Sequence, residues 1–201
     1  MSRRLVYLLR HGQTASNAAR VFQHPETPLS EQGEREAQRV AERLAGAGIA
    51  LVLASDFARA RATAERVATA SGAPLELEPL LQERSFGALR GRPYADVGSD
   101  PFARGFVPPG GESWGEFETR VDRAWERVLA AAGRAPGHLA VVTHGLVCHA
   151  LAARRLALPA GAGPLRGFAN TSLTVIDAAP PHAVSLLACT AHLAGADAPG
   201  A

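Results

Sequence analysis

Leu5-Val6-Tyr7-Leu8-Leu9-Arg10-His11-Gly12 decides how this chain is read. Its apolar run suits a strand buried on both faces, as in a parallel sheet. The run breaks at a polar turn, Arg10-His11-Gly12. The same pattern returns far downstream, where residues 139–142 run into Thr143-His144-Gly145. Helical signals fill the space between. Ser30 reads as an N-cap with Glu31 and Glu34 in the first turn, and Ala37, Val40, Ala41 and Leu44 follow at helical spacing until Gly46 or Gly48. Residues 49–54 read as a second buried strand, 59–70 as an Ala-rich helix and 75–77 as a short strand. Ser113 and Glu116 form a capping box that opens a helix with Phe117, Val121, Trp125, Val128 and Leu129 on one face. A further helix is expected from the second His-Gly pair to about Leu158, then strands at 172–176 and 184–187.

Strands alternating with helices imply an α/β fold: a three-layer sandwich with a mostly parallel central sheet and helices on both faces. The reading is one domain over residues 1–194. It carries a small Gly/Pro-rich lid at about 84–113, with six Gly and four Pro between 87 and 113, and a flexible tail at 195–201. Sheets of this kind hold ligands beyond the carboxyl ends of their strands, where both His-Gly pairs fall.

Composition narrows the chemistry. The chain has 201 residues, 47% apolar and 20% charged, with a net charge of +2, which is ordinary for a globular protein. Its basic residues are scattered, so no nucleic-acid stripe is read. No run is long enough to span a membrane, and the N-terminal apolar run is too short for a signal peptide. The two cysteines, Cys148 and Cys189, have no metal-binding spacing, which suits a reduced, cytoplasmic protein. All 21 basic residues are arginine, so P-loop, Schiff-base and pyridoxal chemistry lose the lysine they lean on. An anion site must then use Arg, His, backbone N–H groups or helix ends. Arg10 adjoins His11, and Arg59 sits where the second strand gives way to its helix. Two Arg and two His in one crevice would bind a phosphoryl group, whose transfer depends on positioning and charge stabilisation.

Several segments are similar to the histidine phosphatase (phosphoglycerate-mutase-like) superfamily. Leu9 to Asn17 resembles its Arg-His-Gly-x-Thr-x-x-Asn signature. Phe22-Gln23, Pro28-Leu29-Ser30-x-x-Gly33, Ser55-x-Phe57-x-Arg59-Ala60-x-x-Thr63, Leu81-x-Glu83, Pro109-Gly110-Gly111-Glu112-Ser113, Thr143-His144-Gly145 and Asn170-Thr171-Ser172 resemble later motifs, in family order. The resemblance implies that His11 attacks phosphorus and becomes a phosphohistidine, with the Gly12 carbonyl orienting its ring. It implies that Arg10, Arg59 and His144 hold phosphoryl oxygens, with Asn17, Gln23 and the Gly145 N–H adding hydrogen bonds. Glu83 would serve as acid and then base, with a pKa raised by burial or by neighbouring carboxylates. Arg84, beside it, is a candidate substrate contact. No metal and no cofactor are implied; the partner is a small phosphorylated substrate, and a homodimer is left open.

The chain departs from the family pattern at Thr27, His24, Phe57 and Leu146. Of these, His24 and Leu146 could reshape the pocket, and Phe57 reads as a packing change. Gly111-Glu112-Ser113-Trp114-Gly115 mimics the nucleophile elbow of α/β-hydrolases but follows Pro-Pro-Gly rather than a strand. His138, His149, His182 and His192 read as surface or loop histidines. Tyr94, Phe102, Arg104 and Phe106 are candidates for a pocket lining. Residues 84–91 are similar to cofactor-dependent phosphoglycerate mutases. Those mutases, however, carry a longer insertion between acid and second His, with a Lys and paired Arg for a sugar-acid carboxylate. Here only 60 residues separate Glu83 from His144 and the lid arginines stand singly. The expected activity is therefore a phosphomonoester phosphatase. The alternatives are the mutase and, more remotely, a non-catalytic phosphate-binding protein.

Overall fold

Six strands form one sheet in the order β3-β2-β4-β1-β5-β6. They are β1 (Leu5–Arg10), β2 (Ile49–Ala54), β3 (Leu75–Leu77), β4 (His138–Thr143), β5 (Leu173–Asp177) and β6 (Val184–Cys189). The first four run parallel, and β5 and β6 add an antiparallel edge. A computed structural model describes residues 3–165 and 167–194 of the chain. The tail expected at 195–201 lies outside the described residues.

Among the described residues five α-helices complete the fold: α1 (Ala15–Ala18), α2 (Glu31–Leu44), α3 (Ala58–Ser71), α4 (Trp114–Arg134) and α5 (Gly145–Arg154). Side chains alternate across each strand, so the central strands feed two cores. Val6, Leu8, Leu51, Leu53, Leu139 and Val141 pack with Phe117, Val121, Trp125 and Val128 of α4 and Val147 and Leu151 of α5. On the other face, Leu9, Val52, Ala54, Ala140 and Val142 meet Val40, Ala41 and Leu44 of α2 and Ala60, Ala64 and Val67 of α3. This is the three-layer arrangement read from the apolar runs.

The caps follow their chemistry. Ser30 accepts from the Gly33 N–H, and Ser113 with Glu116 closes the expected capping box. Ser113 is thus a helix cap, and the nucleophile-elbow pattern around it has no strand before it. Gly72 ends α3 with φ +68°. One boundary differs from expectation. The α5 helix stops at Arg154 instead of continuing to about Leu158. Leu158 precedes Pro159, which disfavours helical backbone there, and Ala157 instead exchanges backbone hydrogen bonds with His182 and Val184.

Candidate active site

Strand register brings the two histidines together. Parallel β1 and β4 pair Leu9 with Val142 and Arg10 with Thr143. The next residue of each strand is a histidine, so the rings fall one strand spacing apart. Their centroids lie 5.1 Å apart at 60°. The His11 N–H donates to the Thr143 carbonyl at 2.9 Å and extends the pairing past the strand ends.

His11 is almost wholly buried, and both of its ring nitrogens are committed. Its Nδ1 lies 2.7 Å from the Gly12 carbonyl, which accepts the ring proton. Its Nε2 therefore carries the lone pair and accepts from Arg59 Nε at 3.3 Å. Burial, then Arg59 and Arg10, hold the His11 pKa well below the ordinary value, against a smaller opposing effect of the Gly12 carbonyl. The ring is neutral at physiological pH, as a nucleophile must be. Gly12 has no room for a side chain: a Cβ there would stand 2.5 Å from the Gly33 carbonyl oxygen. Its N–H donates to Thr63 Oγ1 at 3.1 Å, one helical turn from Arg59 on α3.

Arg59 enters the site from the first turn of α3. Its Nη1 donates to the His24 carbonyl at 3.0 Å and its guanidinium stacks 5.2 Å from the Phe57 ring. Burial lowers its pKa to about 10, partly offset by Glu83, so it stays cationic. Arg10 donates through Nη1 to the Phe168 carbonyl at 2.6 Å, while its buried Nε has no partner among the described residues. Gly145, at the start of α5, sits against it; a Cβ there would meet Arg10 Nε at 3.4 Å.

His144 is fully buried, and its ring packs edge-on against His11 and against Phe57, whose ring lies 5.3 Å away. Its Nε2 is 2.8 Å from Ser55 Oγ, and its Nδ1 is unpaired among the described residues. Burial, then Arg59 and His11, keep it neutral. Glu83 Oε1 accepts from the Arg84 N–H at 3.0 Å and Oε2 from the Leu146 N–H at 3.1 Å. Burial raises its pKa although both hydrogen bonds and Arg59 and Arg10 pull the other way. The cause is desolvation; no neighbouring carboxylate contributes.

These groups border a cavity of about 570 Å³. Arg10, His11, Asn17, Gln23, Arg59, Glu83, Arg84 and Gly145 all line it. Asn17 Oδ1 accepts from Asn170 Nδ2 at 3.3 Å, and Gln23 Oε1 accepts from Thr14 Oγ1 at 2.7 Å. Arg84 lines the cavity, and three of its guanidinium N–H groups donate to the carbonyls of Glu112, Pro101 and Phe106, so it also ties the lid together.

Further residues take their places in or around the site, some expected from the sequence and some not. Phe57, read as packing, lines the cavity and packs edge-on against His144. Leu146 and His24 contribute backbone groups, to Glu83 and to Arg59. His149 lines the cavity, and Tyr94 and Phe102 do so with Phe22 and Phe86, whereas Arg104 pairs with Glu118 outside it. His138 accepts from the Leu5 N–H, and His192 bridges Arg43 and Thr171. Arg120, on α4, had no signal at all. It clamps the Glu112 carboxylate at 2.7 and 2.8 Å and donates to the carbonyls of Leu80, Gln82 and Glu83.

Known proteins are similar to this chain in sequence and fold. The histidine phosphatase superfamily (branch 1) matches over residues 6–189. A probable phosphoglycerate mutase, GpmB, of Erwinia tasmaniensis is 34% identical over 183 residues, covering 86% of this chain and 84% of that protein. A mycobacterial glucosyl-3-phosphoglycerate phosphatase has a solved structure with a TM-score of 0.74 and 29% identity, covering 87% of this chain and 91% of that one. YhfR of Bacillus stearothermophilus gives a TM-score of 0.79 at 25% identity, covering 94% and 99%.

Proposed function

The chain belongs to the histidine phosphatase superfamily, branch 1, and we propose from that premise that it hydrolyses a small phosphomonoester, without a metal, through a phosphohistidine on His11. One observation carries the reading: a neutral, buried imidazole has its Nδ1 held by the Gly12 carbonyl and its Nε2 aimed at Arg59 in a cavity. In the first step Nε2 attacks phosphorus, and the bond to the leaving oxygen breaks as protonated Glu83 gives that oxygen its proton. Arg59 passes its N–H from Nε2 to a phosphoryl oxygen. Arg10 Nε, the Gly145 N–H and the unpaired Nδ1 of His144 are the further donors offered to the spreading charge. In the second step Glu83 takes a proton from water, the water oxygen bonds phosphorus, and the phosphorus–nitrogen bond breaks. Inorganic phosphate leaves and His11 is restored.

The mutase reading is kept because a 34% identical relative carries that name. A mutase must hold its alcohol through both half-reactions. Here Arg84 is committed to the lid and the chain has no Lys, which favours release of the alcohol and attack by water. The test is hydrolysis of an aryl phosphate in excess chelator. Turnover that survives chelation and is lost in His11→Ala supports the proposal. Loss of turnover on chelation, restored by a divalent metal, overturns the metal-free mechanism. Absence of hydrolysis, with phosphoglycerate interconversion primed by the bisphosphate, assigns the mutase.

A further inference from the structure

The Asn170-Thr171-Ser172 segment stands outside the phosphoryl cradle, yet it reaches the nucleophile. Asn170 Nδ2 donates to the His11 carbonyl at 3.0 Å and to Asn17 Oδ1 at 3.3 Å. The Thr171 N–H donates to the same carbonyl at 3.3 Å. Backbone groups fix the direction of both side-chain amides. A carbonyl only accepts, so it is the nitrogen of Asn170 that faces His11. The Thr14 N–H only donates, and Asn17 Oδ1 takes it at 3.3 Å. Two donors thus hold the Asn17 oxygen. Its Nδ2, which has no partner among the described residues, is the group left for the cavity that Asn17 lines.

The turn that delivers Asn170 is strained. Thr171 has φ +51°, in the left-handed region that a β-branched residue rarely enters. It is fully buried and held from behind. Arg43 Nη1 donates to His192 Nδ1 at 3.1 Å, so the His192 proton sits on Nε2, which donates to Thr171 Oγ1 at 3.1 Å. Burial, then Arg43 and Arg39, lower the His192 pKa to about 4, so the ring stays neutral and keeps this tautomer. Backbone strain of this kind persists where the surroundings over-determine it, and it gathers at functional sites.

We propose that Asn170 is a positioning residue for phosphoryl transfer: it locks the Asn17 amide so that Asn17 Nδ2 donates to a phosphoryl oxygen. The inference rests on the phosphatase reading and deepens it at the same site. Without Asn170, a single donor at 3.3 Å opposes rotation of the Asn17 amide. That rotation would set the amide oxygen against the phosphoryl oxygens.

The test is a double-mutant cycle on hydrolysis of an aryl phosphate by the wild type, Asn170→Ala, Asn17→Ala and the double variant. Asn170→Ala should lower kcat/KM by about tenfold, less than removal of a whole transition-state donor. In the Asn17→Ala background the same change should cost no more than about twofold, because Asn170 acts through Asn17. Independent losses that multiply overturn the proposal. Asn170→Asp separates donation from packing. It fills the same space but turns only acceptors toward the His11 carbonyl and Asn17 Oδ1, so it should be at least as slow as Asn170→Ala. Wild-type-like rates in Asn170→Asp would make Asn170 a space-filling part and overturn the proposal. Either Asn170 variant closes the cycle if the other fails to fold. The losses should be equal on alkyl and aryl phosphates, which share the phosphoryl group; a loss confined to the alkyl ester would place Asn170 with Glu83 and overturn the assignment to Asn17. Orthovanadate binding to the same proteins carries the cycle beyond turnover. Its dissociation constant should rise in Asn170→Ala and stay nearly level when Asn17 is already Ala. If the wild type hydrolyses no phosphate ester, the phosphatase reading itself fails, and the vanadate cycle still decides the role of Asn170.

Discussion

At His11 two hydrogen bonds decide which nitrogen reacts. The Gly12 carbonyl takes the Nδ1 proton, so the lone pair sits on Nε2, facing Arg59. The same burial that lowers the His11 pKa raises that of Glu83, because each is denied its charged form. The signs set the pH profile. His11 must be neutral and its pKa lies below 6.5, so activity is lost only as pH falls beneath that lowered value. Glu83 must be protonated and its pKa lies above 4.5, so activity falls as pH rises through that raised value. A bell in kcat/KM is expected, with His11 setting the acid limb and Glu83 the alkaline one. Glu83→Gln should lower the rate by about 100-fold on an alkyl ester and remove the alkaline limb while keeping the acid one. An alkaline limb that persists in Glu83→Gln would take the acid role away from Glu83.

Elements do the aiming. The β1–β4 register places both histidines, and the start of α3 delivers Arg59 opposite them. Glu83 has no such support from a strand or helix; it lies on irregular chain. Arg120 of α4 supplies what is missing by binding three carbonyls of that chain, those of Leu80, Gln82 and Glu83, and the Glu112 carboxylate, which in turn accepts from the Ser85 N–H at 2.7 Å. Removing Arg120 strands several acceptors and lets the Glu83 segment drift. Displacement by about 1 Å is enough to cost up to 100-fold in a positioned reaction. For Arg120→Leu we expect roughly tenfold lower kcat on an alkyl phosphate, whose leaving group needs a proton. An aryl phosphate, which leaves well without one, should be nearly spared. Equal losses on both esters would reduce Arg120 to a purely structural part. The overrun of α5 in the sequence reading belongs to this scale too. Helical periodicity does not register the pairing of Ala157 with His182 and Val184, remote in sequence, that ends the helix.

For the molecule as a whole, the features carried by local pattern were legible in the sequence. Continuous apolar runs gave the buried strands, caps gave the starts of α2 and α4, and two strand-end His-Gly pairs located the crevice. What escaped was set by contacts between distant residues. Ser55 meets His144 only because β2 and β4 are neighbours. The bonds of Arg84 to three lid carbonyls carry no local sign either. His144 packs edge-on against Phe57, a contact that no local pattern announces. The central claim is that the phosphoryl group passes through His11 alone. It is tested most directly by quenching the enzyme with ³²P-labelled substrate and mapping the label. The account predicts an acid-labile, base-stable phosphoprotein with its label on the peptide bearing His11, absent in His11→Ala. Label on any other residue, or unimpaired turnover by His11→Ala, would contradict it.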